Sequence, residues 1–311
     1  DNNHGAQLQF HTGRHSLDGF FPTVGSWIHY GLGSLNEDLP QFVVMGTPIA
    51  DCCGGQGAHG ANYLGPEHDG VQLGVNPDRP LPFATPGGAL YREEQEGQFQ
   101  LLEQLNQVTA SLHPNDANLR ARIKSYRLAY RMQMAVPEVM QFDSETKATQ
   151  SGYGLDNGTT RTFGQQCLAA RRMVERGVRF VQIFHGSNGG AGRWDGHSNL
   201  LKGHARLCLE TDQPIAALIR DLKTRGMLDE TLVVWGTEFG RTPDINENTG
   251  RDHFPRAFSS LMAGGGVKGG FVYGETDRKA HTVKEGIVTP GMFNATIGHA
   301  LGLPTERVVT S

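Results

Sequence analysis

The chain has 311 residues, enough for one large α/β domain or two ordinary domains. Its 28 Lys and Arg residues against 32 Asp and Glu residues give a formal charge of -4, so it has no overall attraction to nucleic acid or to anionic membranes. No apolar run approaches the roughly 18 residues of a membrane span. We therefore expect neither a nucleic-acid partner nor a membrane span.

The sequence begins at Asp1 and contains no recognisable signal peptide. We therefore expect any export signal to lie upstream of this residue. The four cysteines form neither a CxxC metal pattern nor a dense disulfide framework, so they leave the cellular compartment open.

The first half of the chain alternates short helices with an apolar strand. Apolar spacing predicts helices at 4–11 and 23–30 and a strand at 42–45. Residues 47–88 are rich in Gly, Pro and Asn without clear periodicity, which predicts a long, loop-rich surface insertion. Helical spacing returns at 99–108 and 115–136, and we interpret the basic residues of the second segment as a solvated face.

The second half repeats a helix-to-strand pattern. A helix at 163–176 ends at Gly177 and leads into the apolar run 178–184. A helix at 207–225 ends at Gly226 and leads into a strand at 231–235, and residues 258–263 supply a third strand. Strands separated by helices predict a doubly wound, mostly parallel sheet with helices on both faces, within a single domain over 1–311.

Metal-binding and anion-binding side chains follow the predicted strand ends. In open α/β sheets the ligand crevice lies beyond the carboxyl ends of the strands, so these loops are expected to converge. They contain Arg193, Trp194, Asp195, His197 and Asn199, and then Glu238, Arg241, Arg251, Asp252 and His253.

We assign metal ligation to a carboxylate, a second carboxylate and an imidazole: Asp195, Glu238 and His253. Such ligands hold zinc, calcium or magnesium while leaving a position open for water or substrate. Arg241 suits an oxyanion through paired hydrogen bonds. His197 and Asp252 are candidate acid–base residues or supplementary ligands.

Several of these residues also have a structural interpretation. Asp195 can be an N-cap, and Asp252 with His253 can form a turn. Glu238 follows an apolar strand and needs a partner, which we expect to be Arg241 or a cation.

Other histidines are open to both interpretations. His185 is either a structural histidine or a member of the site. We expect three residues near the chain start to be structural unless that segment lines the cleft: His4, His11 and His15.

Three motifs carry a family resemblance: Trp194-Asp-Gly-His197, Thr237-Glu-Phe-Gly-Arg241 and Gly250-Arg-Asp-His253. With the opening Asn-His-Gly-Ala and Thr12-Gly13, they resemble a bacterial family of sulfatase-like proteins of unknown function within the alkaline phosphatase superfamily. The resemblance implies a doubly wound α/β fold, of which one strand lies upstream of Asp1. It also implies hydrolysis of sulfate or phosphate esters at a site of one or two metals, and a periplasmic or extracellular location.

The chain departs from the pattern of the hydrolytic relatives at three places. Asn199 stands where a histidine is expected four residues after Asp195, and Glu238-Phe239 replaces an Asp-His pair. Asn3 occupies the position of the sulfatase nucleophile, so attack by water is expected in place of a covalent enzyme ester.

These observations are consistent with three functions, of which the first two are the main candidates. The first is a metal-dependent hydrolase of a small-molecule or glycan sulfate or phosphate ester. The alternative is a catalytically inactive protein that binds an anionic glycan or another sulfated or phosphorylated ligand. A third is a structural exported protein whose ion supports the loops.

Overall fold

The computed structural model describes residues 3–48, 54–76, 78–81, 91–186 and 192–306. Its helices are α1 (Ala6–Thr12), α2 (Val24–Leu32), α3 (Arg92–Leu112), α4 (Ala117–Val139), α5 (Lys147–Gly152), α6 (Arg161–Glu175), α7 (Leu200–Thr224) and α8 (Pro290–Ala300). Its strands are β1 (Phe42–Gly46), β2 (Val71–Leu73), β3 (Phe180–Phe184), β4 (Val233–Trp235), β5 (Gly240–Arg241), β6 (His253–Phe254), β7 (Leu261–Ala263), β8 (Glu275–Thr276) and β9 (Val283–Glu285). The fold is α/β, as predicted. No described helix has the length and apolar character needed to cross a membrane.

Three parallel strands form a sheet in the order β2–β1–β3. β1 and β3 pair along their whole length, from Phe42 with Phe180 to Gly46 with Phe184. Just before β3, Gly177 adopts a φ of 84°, which lets the chain turn sharply from the end of α6 into the strand. The predicted helix-to-strand unit is confirmed.

Helices cover both faces of this three-stranded sheet. Because strand side chains alternate, Val43 and Met45 point to one face, where they pack with residues of α4, α6 and α7. Phe180 points to the other face and packs with residues of α2 and α8, including Ile28 and Ile297. Burial on both faces explains why β1 is a continuous apolar run.

The parallel sheet has three strands. The larger, doubly wound sheet that the sequence predicts is not seen in the part of the chain that the structure describes. β4 pairs with β7 in antiparallel orientation, and so do β5 with β6 and β8 with β9. The expectation that 258–263 adds a parallel strand is wrong, because apolar patterning indicates a strand without fixing its direction. The predicted insertion at 47–88 contributes β2 to the parallel sheet, although its residues 49–53, 77 and 82–88 lie outside the described ranges.

A buried ionic network joins α6 and α7 to the segment before α5. The Arg171 side chain is 2% exposed and lies 2.9 Å from Glu145, 2.6 Å from Glu175 and 3.0 Å from Asp221. The Tyr153 hydroxyl donates to Asp221 over 3.0 Å. Burial opposes the charged guanidinium, but hydrogen bonds to the carboxylates outweigh it and raise the pKa of Arg171. This network stabilises the fold only while its carboxylates are ionised.

We predict that Glu145→Gln destabilises the protein in a pH-dependent way. Burial opposes ionisation of Glu145, but hydrogen bonds from Arg171 and Arg172 outweigh it, so its pKa lies below the ordinary value. Its contribution is therefore present above the ordinary carboxyl pKa and is lost as the pH falls through the lowered value. We expect a loss of about 2 kcal/mol in the free energy of unfolding at pH 7, shrinking below about pH 4.

Urea denaturation between pH 3 and pH 8 measures this loss. The matched control is Asp143→Asn, an exposed acidic residue nearby, which should leave stability unchanged. A deficit for Glu145→Gln that is the same at every pH contradicts the ionic explanation.

Candidate functional site

The loop between β3 and α7 carries the first motif, and the β5–β6 hairpin carries parts of the other two. α7 begins after Asn199, which occupies the N-cap position, so Asp195 does not cap this helix. Within the hairpin, Arg241 stands directly opposite His253 in the antiparallel register. The hairpin thus presents an arginine and a histidine side by side.

Main-chain hydrogen bonds hold these two segments together. The Arg251 N–H donates to the Gly196 carbonyl over 2.9 Å, and the Leu200 N–H donates to the Thr249 carbonyl over 3.0 Å. A Cβ added at Gly250 would lie 2.0 Å from the carbonyl carbon of His197. The backbones at Gly250 and His197 can therefore be in contact only because residue 250 is glycine. The glycine of the third motif therefore packs directly on the first motif.

The Asp195 carboxylate is the centre of the site. Its Oδ1 lies 2.7 Å from Arg241 Nη2, 3.0 Å from His197 Nε2 and 3.1 Å from His253 Nε2. Its Oδ2 lies 3.4 Å from His4 Nε2. With Glu238, these residues form what we call the Asp195 cluster: His4, Asp195, His197, Glu238, Arg241 and His253.

His4 is the member that the sequence did not assign to the site. It lies 191 positions before Asp195 and was expected to be structural unless the chain start lined the cleft. In the structure its side chain is buried in the cluster. α1, which follows it, is held by α8 through a hydrogen bond of 2.9 Å from Asn294 Nδ2 to the Phe10 carbonyl. The docking of α1 therefore places the chain start at the site.

Glu238 reaches the cluster through His4. Its Oε1 lies 3.5 Å from His4 Nδ1, and its Oε2 accepts a hydrogen bond of 2.8 Å from the Thr237 hydroxyl. The expected pairing of Glu238 with Arg241 is wrong, because the Arg241 guanidinium contacts Asp195. The need of a carboxylate at the end of a strand for a partner is met by an imidazole.

His197 and Asp252 form a hydrogen-bonded pair at the exposed edge of the cluster. His197 Nδ1 lies 2.9 Å from Asp252 Oδ1, and Asn246 Nδ2 donates to the same oxygen over 3.1 Å. These hydrogen bonds, that of His197 first, hold the pKa of Asp252 below its usual value. An ionised Asp252 favours a proton on His197 Nδ1, and Nε2 of the same ring faces Asp195 and His253.

The charges of the cluster are set by these contacts. Burial opposes ionisation of Asp195, but hydrogen bonds from Arg241 and His253 outweigh it and hold its pKa below the ordinary value. The hydrogen bond to Glu238 raises the pKa of His4 against the opposing effect of burial, and the charge of Asp195 adds to the increase. The carboxylates are thus ionised at neutral pH, as ligands of a cation must be.

The ligand atoms have the spacing of a metal site. Ligand atoms of His4, Asp195 and His253 all lie within 4.8 Å of one another, which makes the three residues a possible metal-binding triad. Two nitrogens bound to one tetrahedral zinc ion stand about 3.3 Å apart, given bonds of about 2.0–2.1 Å. The separation between His197 Nε2 and His253 Nε2 is 3.1 Å, and that between His4 Nε2 and Asp195 Oδ2 is 3.4 Å. The residues present therefore fit a divalent cation, with His197 able to provide a further nitrogen.

Neighbouring residues brace the loop that carries Asp195. His185 Nε2 lies 3.2 Å from Glu210, and Trp194 Nε1 donates to His185 Nδ1 over 3.0 Å. Arg193 also pairs with Glu210, at 2.5 Å, and Arg251 donates to the carbonyl of Thr242. His185 therefore contacts the loop that carries Asp195 through Trp194.

Comparison with protein families now adds an identity. The family model described as "Protein of unknown function (DUF1501)" matches residues 1–311. The chain belongs to the DUF1501 family. Neither a curated protein nor a solved structure matches it significantly.

This DUF1501 chain brings the six residues singled out in its sequence to one place by three routes. Four of them, Asp195, His197, Arg241 and His253, are connected through Asp195 itself. Glu238 joins through His4, and Asp252 joins through His197. The family model names no activity.

We predict that Gly250→Ala destabilises the protein by about 1–3 kcal/mol, because the added methyl group overlaps the backbone at His197 and the two loops must separate. Urea denaturation measures the loss. The control is Gly203→Ala in α7, where a Cβ has open space and a helix-favouring residue should be neutral or stabilising. Equal stabilities for the two variants would mean that the loops are not in contact at Gly250.

Proposed function

We propose that this protein is a metal-dependent hydrolase of phosphate or sulfate esters, with the metal held by His4, Asp195 and His253. The observation that supports it most is the group of two imidazoles and one carboxylate within 4.8 Å. Catalytic metal sites commonly use three protein ligands and keep one position open. The lowered pKa of Asp195 keeps this ligand ionised, which suits the same assignment. His197 Nε2 lies 3.0 Å from Asp195 Oδ1, close enough to provide a further ligand atom.

Glu238 and Arg241 have roles in this proposal that differ from those first assigned. Glu238 orients His4 through the 3.5 Å contact with its Nδ1, as carboxylates behind metal-bound histidines commonly do. Arg241 holds Asp195 through Oδ1 at 2.7 Å, so it is a positioning residue before it is an oxyanion clamp. Both act on ligands, and Glu238 is not itself one of the three proposed ligands.

His197 is the proposed proton acceptor or supplementary ligand. The hydrogen bond to Asp252 keeps the proton of His197 on Nδ1. Nε2 of the same ring can then take a proton from water or donate one to the leaving oxygen. A bound divalent ion would lower the pKa of water and polarise the ester oxygen. Asn3 Oδ1 accepts a hydrogen bond of 2.7 Å from the His4 N–H. Because a side-chain amide is a poor nucleophile, the proposed reaction uses no covalent enzyme ester at Asn3.

The proposed contact for the substrate anion is Arg256. A cleft of about 490 Å³ is lined by His253, Phe254, Pro255 and Arg256, so it borders one of the proposed ligands. Arg256 is exposed and makes no ion pair with the described part of the chain, which leaves its guanidinium available for two oxygens of an ester. Arg251 is not available in this way, because it donates to the carbonyls of Thr242 and Pro243.

The alternative is a binding protein without turnover. It is favoured by the side-chain amide of Asn3 at the nucleophile position and by Asn199 and Phe239 where histidines were expected. Such a protein would use the same arginine and ion to hold an anionic glycan or another sulfated or phosphorylated ligand. Turnover decides between the two.

Three finer expectations belong to the same proposal. The first is the kinship with sulfatases and alkaline phosphatases that the motifs imply. The second is a larger doubly wound sheet that includes β1 and β3. The third is a periplasmic or extracellular location, which the resemblance alone supports.

We predict that the metal-free protein binds one divalent ion and that His4→Ala and His253→Ala each weaken the binding at least about 10-fold, because each removes a ligand. Calorimetric titration with zinc, magnesium and calcium chlorides measures affinity and stoichiometry. His113→Ala, at the exposed end of α3, is the control and should bind like the parent. Equal binding by all three variants would remove His4 and His253 from the site.

We predict that the reconstituted protein hydrolyses chromogenic phosphate or sulfate monoesters and that Asp252→Asn lowers kcat by about 10–100-fold while retaining the metal. The asparagine no longer selects the His197 tautomer. Asp212→Asn, an exposed residue on α7, is the control and should keep the parental kcat. Stoichiometric metal with no turnover of any ester would favour the binding protein instead.

A further inference from the structure

Asn246 lies in the loop of the β5–β6 hairpin and uses all four hydrogen-bonding positions of its side-chain amide. Its Oδ1 accepts from the main-chain N–H groups of Asn248 and Gly250, over 3.0 and 2.9 Å. Its Nδ2 donates to the His197 carbonyl and to Asp252 Oδ1, each over 3.1 Å. A reversed amide would set its own N–H groups against two other donors, so the contacts fix the amide in one orientation.

The bonds to Oδ1 shape the loop at 246–250. The Asn246 N–H also donates to the Gly250 carbonyl over 2.9 Å. Thr249 adopts a φ of 58°, which a β-branched residue rarely does unless its surroundings hold it there. The start of α7 adds to this support, because the Leu200 N–H donates to the Thr249 carbonyl over 3.0 Å. The loop is therefore a fixed base, and the two bonds from Nδ2 connect it to the first and third motifs.

Those two bonds reach both partners of the exposed acid–base pair. His197 Nδ1 lies 2.9 Å from Asp252 Oδ1, and the two side chains are 45% and 57% exposed. An exposed pair of this kind is weak, because water competes for the carboxylate and both side chains lose freedom in forming it. Asn246 offsets that weakness, since its one nitrogen holds the carboxylate of Asp252 and the backbone of His197 together.

The imidazole of His197 lies between two carboxylates. Its Nδ1 faces Asp252, and its Nε2 lies 3.0 Å from Asp195 Oδ1. An ionised carboxylate only accepts, so each one favours the proton on the ring nitrogen that faces it. The placement of the proton therefore depends on how firmly each carboxylate is held.

We propose that Asn246 is a positioning residue that holds Asp252 against His197 and thereby keeps the imidazole proton on Nδ1. This inference rests on the proposed function, in which Nε2 exchanges protons with water or with the leaving oxygen. A neutral ring whose proton sits on Nε2 cannot take one from water there. None of the described contacts of Asn246 involves a proposed metal ligand, so we expect it to act on the tautomer and not on the metal.

Three variants separate this role from the role of Asn246 in the loop. Asn246→Asp keeps the oxygen that the loop needs and loses both donors of Nδ2. Asn246→Ser can still accept within the loop, does not reach Asp252 and adds no charge. The matched control is Asn248→Asp, which places the same charge in the same loop on an exposed side chain. Circular dichroism should show the parental helix content and one cooperative thermal transition for each.

Nitrogen-15 NMR of histidine-labelled, metal-free protein at about pH 9, where an ordinary histidine is neutral, reads the tautomer. In the parent and in Asn248→Asp, His197 Nδ1 should have the chemical shift of a protonated ring nitrogen, with His197→Gln used to assign the signal. In Asn246→Asp and Asn246→Ser it should move toward that of an unprotonated nitrogen, because the proton passes to the Nε2 side. A proton that stays on Nδ1 in both variants would overturn the proposal, as would an equal change in Asn248→Asp.

Kinetics test the same role in the zinc-loaded protein. Asn246→Asp and Asn246→Ser should lower kcat for a chromogenic phosphate or sulfate monoester about 10-fold and leave KM unchanged. In combination with Asp252→Asn, neither should lower kcat further, because both act through the same carboxylate. Additive losses would contradict the assignment. A parent that turns over no ester would refute the hydrolase, and the NMR comparison would still decide the role of Asn246.

Discussion

The carboxylate of Asp195 joins three parts of the chain at one point. Its two oxygens contact the chain start, its own loop and both strands of the β5–β6 hairpin. Burial opposes the charge of Asp195, but these donors outweigh it and hold the pKa of the carboxyl below its ordinary value. Loss of any one donor therefore leaves a half-buried charge less compensated and affects the positions of the others.

The protein has two ionic centres of different character. Around Arg171 three carboxylates are matched with three guanidinium groups, those of Arg171, Arg172 and Arg225, so the opposite charges balance and the result is stability. Around Asp195 three imidazoles converge, and two of their ring nitrogens stand 3.1 Å apart. At this distance the two rings share a hydrogen bond whose donor depends on the tautomer, and the same convergence of nitrogens beside a carboxylate is what ligation of a cation requires. That contrast is why we interpret one centre as structural and the other as chemical.

Local patterning predicted much of this structure, and long-range docking accounts for the rest. Gly177 has a positive φ and stands between the end of α6 and the start of β3. Because this local signal is visible in the sequence, both elements were predicted. Asp195 and Glu238 were expected at one sheet edge because both follow strand patterns, with His253 in the next loop, and the structure places Asp195 Oδ1 3.1 Å from His253 Nε2. His4 was missed because its place depends on α1 docking on α8 at the other end of the chain, which no local signal records. The same holds for the direction of β7 and for β2, whose three residues are too few to show a period.

The 191-residue separation of His4 from Asp195 also affects how the protein is made. Ribosomes add about 5–20 residues per second, so His4 is synthesised roughly 10–40 s before the carboxylate it contacts. α1 cannot dock in this interval, since α8 is translated even later. Throughout this interval the chain start must avoid other partners while its own are still being synthesised. Final assembly of the cluster is therefore expected only after α8 has been synthesised, and a chaperone that shields the segment around α1 would act in this interval.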